Sequence, residues 1–173
     1  MIDFDLKNIE AMAFDVDGVL SDNVVVLYGN DGQPNRTANI KDGYALHLAS
    51  TLNFPIAIIT GGKCPAVKAR YEALGVKHVY MGVSHKLEVF KQWCAEINVN
   101  PQNVLYMGDD IPDHEVMRSC GCPVCPADAA EEIKSFAIYV SPKPGGYGCV
   151  RDVMEQVLKA QGKWMSDADA FGW

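Results

Sequence analysis

The sequence predicts an α/β fold built on a doubly wound parallel sheet. Three observations lead there. Short apolar runs alternate with amphipathic stretches of helical spacing along the chain. The clearest runs end in small or acidic residues: 12–16 in Asp15-Val16-Asp17-Gly18, 56–59 in Thr60-Gly61-Gly62, and 104–107 in Gly108-Asp109-Asp110. The runs are continuously apolar rather than alternating, which fits strands buried on both faces.

Taken in order, residues 12–16 form the first strand. Residues 23–27 and 36–40 then flank Gly29-Asn30-Asp31-Gly32, a spacing that predicts a β-hairpin projecting from that strand. Ala45, Leu46, Leu48, Ala49 and Leu52 recur at helical spacing before the second strand, 56–59. One helix and a third strand, 78–81, occupy residues 61–85. Leu87, Phe90, Cys94 and Ile97 mark the next helix, with Lys91, Gln92 and Glu96 on its wet side. Strand 104–107 follows, and residues 121–126 read as a short strand leaving a helix. The last helix runs from 147 to about 161, with Val150, Val153, Met154, Val157 and Leu158 on one stripe and Gly162 as its stop. The chain reads as one domain over residues 1–165 and a C-terminal tail, 166–173, that is loose unless its aromatics dock. The connections are too short to hold a cap domain.

The bulk numbers narrow the function. The chain has 173 residues, 49% hydrophobic and 21% charged, an ordinary globular balance. Its formal net charge of -7 argues against nucleic acid or an anionic membrane as partner. An anionic small substrate stays open, because a site can be locally positive. Residues 1–10 lack the apolar run of a signal peptide, and no stretch approaches the roughly 20 apolar residues of a membrane span. The expected location is cytoplasmic. There the six cysteines, Cys64, Cys94, Cys120, Cys122, Cys125 and Cys149, are not expected to pair. Cys120, Cys122 and Cys125 with His114 or Cys149 invite a zinc reading. The C-x-C spacing is unusual for that, and buried thiols acting as small hydrophobes fit the cluster better.

The chemistry-bearing residues collect at strand ends, where ligands sit in open α/β sheets. Asp15, Asp17 and Asp109, with Asp110 and Asp113 nearby, would repel one another without a cation. Oxygen-only ligands suit Mg²⁺ rather than zinc. Lys86 adds positive charge, Thr60 a hydroxyl, and Gly61 and Gly62 backbone amides open to close approach. Together these make an anion site suited to phosphate. Asp15 and Asp17 divide naturally into a nucleophile and a general acid/base. The plainer readings are a helix cap for Asp22 or Asp113, and a solvated helix charge for Lys86. His85 and His114 read as surface or packing residues, and Tyr147 as part of a glycine-rich turn.

At these residues the sequence resembles the haloacid dehalogenase superfamily of phosphatases. The residues that carry it are 15–22, Thr60, Lys86 and 108–113, in order. The resemblance implies a Rossmann-like core, Asp15 as nucleophile and Asp17 as general acid/base. It implies Mg²⁺ on the Asp15 carboxylate, the Asp17 carbonyl and Asp109, with the phosphoryl group on Thr60, Gly61 and Lys86. The expected hairpin, Lys41-Asp42-Gly43, Gly145-Gly146-Tyr147-Gly148 and residues 159–163 further resemble the 3-deoxy-D-manno-octulosonate 8-phosphate (KDO-8-phosphate) phosphatase family over nearly the whole chain. That implies hydrolysis of KDO-8-phosphate in lipopolysaccharide sugar biosynthesis. Similar phosphatases act on the nine-carbon KDN 9-phosphate and N-acetylneuraminate 9-phosphate. KDN-type members carry an acidic residue where this chain has Gly62, which favours the eight-carbon acid and makes Gly62 a substrate-side position. Asn23 stands where glycine is usual, with little expected effect. The family also implies a homotetramer; with no cap domain, the hairpins of a neighbouring subunit are expected to close each site, and there Arg70 is a candidate for the sugar-acid carboxylate. Two rival classes fit less well. A phosphoacceptor signalling domain needs an aspartate after its later strand, where this chain has Thr60-Gly61-Gly62. A non-catalytic scaffold would be marked by loss of Asp17, which is present.

Overall fold

A computed structural model describes residues 1–27, 34–166 and 168–172. Among these residues, six strands make one parallel sheet: β1 (Ala11–Phe14), β2 (Ile56–Ile59), β3 (His78–Tyr80), β4 (Val104–Met107), β5 (Cys122–Cys125) and β6 (Tyr139–Val140). Their order is β3-β2-β1-β4-β5-β6. The helices are α1 (Ile40–Thr51), α2 (Pro65–Ala73), α3 (Lys86–Glu96), α4 (His114–Ser119), α5 (Glu131–Lys134) and α6 (Cys149–Ala160).

The continuous apolar runs have the predicted cause. Every residue of β1, β2, β4 and β5 is buried, because both faces of the sheet are covered. On one face Met12, Phe14, Ile58 and Met107 join Leu46 of α1, Val67 of α2 and Val153 and Val157 of α6. On the other, Ala13, Ala57 and Ile59 join Phe90 and Trp93 of α3, Met117 of α4 and Ile133 of α5. Full burial of one large apolar side chain contributes about 1.5–3 kcal/mol, so the strand ends sit on a firm platform. The edge strands β3 and β6 are only half-buried or exposed, and the two-residue β6 carries too little pattern to be read from sequence.

Strand order reverses between β1 and β4. Phe14 pairs with Met107, so the next residues on both strands emerge side by side into the crevice at the reversal. The crevice is therefore a consequence of topology.

One local detail differs from the sequence reading. Ile40 is the first residue of α1 rather than the end of a returning strand. Asn39 caps that helix, its side-chain oxygen accepting from the N–H groups of Lys41 (2.9 Å) and Asp42 (3.3 Å). Of the expected hairpin, the described residues show one antiparallel pair, Val26 with Asn35; its turn, Gly29-Asn30-Asp31-Gly32, lies outside them. Trp164, just before the tail, meets Tyr44 edge-on with the Arg151 guanidinium 4.4 Å from its ring centre, and within the tail the Ala170 carbonyl accepts from the Tyr44 hydroxyl. All six cysteines are buried free thiols, and burial raises the Cys120 and Cys122 thiols to about 12, which agrees with their reading as small hydrophobes. No helix among the described residues is long and apolar enough to cross a membrane.

Candidate active site

Asp15 follows β1 and is 6% exposed. One oxygen accepts from the Val16 N–H at 2.6 Å and the other pairs with Lys86 Nζ at 2.8 Å. Lys86 opens α3 and is itself buried. Its ammonium also pairs with Asp113 at 2.8 Å, so the solvated-helix reading of Lys86 does not apply. Asp113 is fully buried, and although it stands at the N-cap position of α4 its side chain makes no capping bond. It accepts from Lys86, from the Tyr106 hydroxyl at 2.8 Å and from the Asp109 N–H at 3.2 Å. This makes Asp113 the brace that ties the end of β4 to α3.

Asp109 completes a triangle. Oxygens of Asp15, Asp109 and Asp113 all lie within 4.8 Å of one another. One ammonium among three carboxylates leaves a deficit of positive charge. Burial first, then the Asp113 charge, pushes the Asp15 carboxyl well above its usual range, with Lys86 opposing. Burial and Asp113 likewise raise Asp109 to about 7. A compact oxygen-only cluster short of one cation is what a divalent metal fits. The first loop is shaped around it. Gly18 has φ +81°, and a Cβ there would lie 2.0 Å from an Asp109 oxygen, so no other residue leaves Asp109 in place. Gly146 donates to the Val19 carbonyl at 2.8 Å and a Cβ on Gly145 would strike the Gly18 carbonyl, so the glycine pair far along the chain packs on this same loop.

Thr60 follows β2 and is buried; its hydroxyl oxygen accepts from the Gly62 N–H at 3.0 Å, which folds the 60–62 turn around the pocket. A crevice of about 580 Å³ joins Asp15, Asp17, Thr60, Gly61, Gly62, Lys86, Asp109, Asp110 and Asp113. Asn23 also lines it and donates to Asp128 at 3.3 Å, a contact glycine could not make. Arg70 is not in this crevice. It lines a neighbouring cavity with Asn35, Arg36, Cys64 and Tyr71. His114 packs edge-on against Phe136, as a packing residue does.

Two functional neighbours escaped the sequence. Tyr106 reads as an apolar strand residue, yet its hydroxyl braces Asp113. Arg36 lay inside an expected hairpin strand. In the structure it grips Asp17 with two parallel bonds, Nε to Oδ1 at 2.6 Å and Nη2 to Oδ2 at 2.9 Å. Five carboxylates against one lysine was the signal that a second cation was due.

Two neighbouring carboxylates, a buried ammonium and a hydroxyl at the head of a sheet are a set that can carry phosphoryl transfer. Comparison with known proteins agrees. Residues 75–148 match the model of the haloacid dehalogenase-like hydrolases. The chain is 42% identical over 157 residues to the KDO-8-phosphate phosphatase of Salmonella typhi, covering 91% of this chain and 83% of that protein. The chain belongs to the KDO-8-phosphate phosphatase family. Solved structures of that family superpose closely. The Moraxella catarrhalis phosphatase, in complex with magnesium, phosphate and KDO, matches with TM-score 0.85 and 32% identity over 91% of this chain and 90% of that one. The cobalt-bound Haemophilus influenzae phosphatase matches with TM-score 0.88 and 28% identity, over 97% and 99%. A divalent metal site in this family is thus consistent with the acidic triangle here.

Proposed function

We propose that the protein is a Mg²⁺-dependent phosphatase that hydrolyses KDO-8-phosphate to KDO and phosphate, in lipopolysaccharide sugar biosynthesis in the cytoplasm. The observation that carries this is the Asp15–Lys86–Asp113 chain at the sheet reversal, in a chain of this family. Asp15 attacks phosphorus and the bond to the C8 oxygen breaks. Asp17 gives that oxygen its proton, so KDO leaves as an alcohol. Asp17 then takes a proton from water, whose oxygen attacks the aspartyl phosphate and frees phosphate and Asp15. Thr60, the Gly61 amide and Lys86 hold the phosphoryl oxygens. Mg²⁺ held by Asp15, Asp109 and the Asp17 carbonyl would supply positive charge against the repulsion between carboxylate and phosphate.

The crevice is open, and nothing in the described chain covers it. We place the cover on a neighbouring subunit of a homotetramer, through the projecting segment around Val26 and Asn35. Val24, Leu27, Ile40 and Tyr147 support this, since they are large apolar side chains exposed by 63% or more around that segment. In such an assembly Arg70 serves an adjacent site and binds the sugar-acid carboxylate, and Gly62 leaves room for the eight-carbon acid. Steady-state phosphate release from KDO-8-phosphate and KDN 9-phosphate, side by side, tests the substrate. A higher kcat/KM for the eight-carbon ester is expected; preference for the nine-carbon ester overturns the Gly62 argument. A clean monomer at micromolar concentration in light scattering overturns the tetramer.

A further inference from the structure

Arg36 has no part in the mechanism above, yet it lines the same crevice as Asp15, Thr60 and Lys86. Its side chain is 8% exposed, far less than the 40% of its partner Asp17. All three of its guanidinium nitrogens are engaged: Nε and Nη2 on Asp17, and Nη1 on the Pro34 carbonyl at 2.9 Å. The crevice is lined by five carboxylates, Asp15, Asp17, Asp109, Asp110 and Asp113, and by two cations, Arg36 and Lys86. Lys86 already spends two of its three donors on Asp15 and Asp113.

Gly62 links Arg36 to the phosphate cradle. A Cβ at Gly62 would lie 3.0 Å from Arg36 Nη2 and 3.3 Å from the Thr60 hydroxyl oxygen, so the guanidinium and the hydroxyl border the same point. Any side chain at position 62 would crowd the guanidinium. Gly62 leaves the guanidinium room at that point, and the bonds to Asp17 and Pro34 hold it.

The pairing carries a conflict. Both Asp17 oxygens accept from one guanidinium, so Arg36 competes with a reacting group for each of them. Release of Arg36 would clear both Asp17 oxygens, and a phosphate ester is the arriving group able to take the guanidinium: bidentate guanidinium contacts suit phosphate as well as carboxylate. We propose that Arg36 is a phosphate-binding switch. It rests on Asp17, transfers to a phosphoryl oxygen when the ester binds, and by that transfer frees Asp17 to act as acid and base. The proposal rests on the reading of Asp17 as general acid/base and of the ligand as a phosphate monoester.

Competition between Asp17 and phosphate for one guanidinium predicts energetic coupling. The test is calorimetric titration of inorganic phosphate, with Mg²⁺ present, into wild type, Asp17→Asn, Arg36→Gln and the double variant. Removing the Asp17 charge tightens phosphate in any background. If Arg36 is the contested group, Asp17→Asn tightens it about tenfold more when Arg36 is present than in Arg36→Gln, the scale of one charged hydrogen bond. Arg36→Gln alone raises KM for KDO-8-phosphate, and Arg36→Lys, charged but not bidentate, falls between. Gly62→Val crowds the guanidinium without replacing it and should mimic Arg36→Gln, which keeps the cycle readable if Arg36→Gln folds poorly. Equal tightening by Asp17→Asn in both backgrounds overturns the switch while leaving the phosphatase intact. If wild type neither binds phosphate nor hydrolyses KDO-8-phosphate, the functional reading fails and the switch with it.

Discussion

Replacing Lys86 with Met removes the buried ammonium and keeps most of the side chain's volume. Lys86 lies 2.8 Å from Asp15 and 2.8 Å from Asp113, and these carboxylates stand within 4.8 Å of each other. At that separation and an effective dielectric near 20, two unit charges repel by about 3.5 kcal/mol. Removing one partner of a buried pair typically costs about 3–5 kcal/mol, a similar figure, because an orphaned carboxyl escapes by taking a proton. For a domain of this size, each kcal/mol moves Tm by about 2–4 °C, so Lys86→Met should melt about 6–20 °C lower in chelator near pH 8. The deficit shrinks as pH falls through the carboxyl range, since a protonated carboxyl needs no cation. Mg²⁺ should restore part of the Tm, but turnover should stay down by about 100-fold or more. Thermal melts with chelator and with Mg²⁺, beside phosphate-release assays, read both arms. A variant melting within about 2 °C of wild type in chelator refutes the charge-brace reasoning.

Two further perturbations test other parts of the account. Gly18→Ala puts a Cβ 2.0 Å from an Asp109 oxygen, so calorimetry should show divalent-cation affinity down by about tenfold or more while circular dichroism stays native; unchanged affinity contradicts the metal placement. Asp42 lies buried beneath α6, and burial raises its carboxyl from 3.8 to about 6 against the Arg151 and Gly148 N–H groups that favour the charge. The folded protein therefore holds a proton that the unfolded chain has released, so stability falls as pH rises from about 4 to about 6 and the handicap is complete above that. Asp42→Asn should raise Tm near pH 8 by at most roughly 3 kcal/mol worth and lose that advantage near pH 4. A Tm gain that does not vary with pH contradicts the burial argument.

The sheet and the catalytic strand ends were legible because each is a local pattern. An apolar run followed by Asp15-Val16-Asp17-Gly18 states in one place both the strand and what leaves it. What the sequence hid depends on contacts between distant residues. Asp113 looks like a helix cap until α3 brings Lys86 beneath it, 27 residues away in sequence. Tyr106 matches its apolar strand neighbours, and only the register shows its hydroxyl reaching Asp113. Arg36 lies 19 residues from Asp17 in an extended segment with no periodicity to direct it inward. Its clue was a charge imbalance rather than a motif. The expected return segment ends one residue early for a local reason: Asn39 offers a helix cap, and Ile40 joins the helix it caps.

The most direct test of the central claim is phosphate release from KDO-8-phosphate by wild type and Asp15→Asn, each with Mg²⁺ and with chelator. The account predicts turnover only for wild type with Mg²⁺, because it assigns the attack to Asp15 and a cation to the acidic triangle. Turnover that survives either the Asp15 change or the chelator contradicts it.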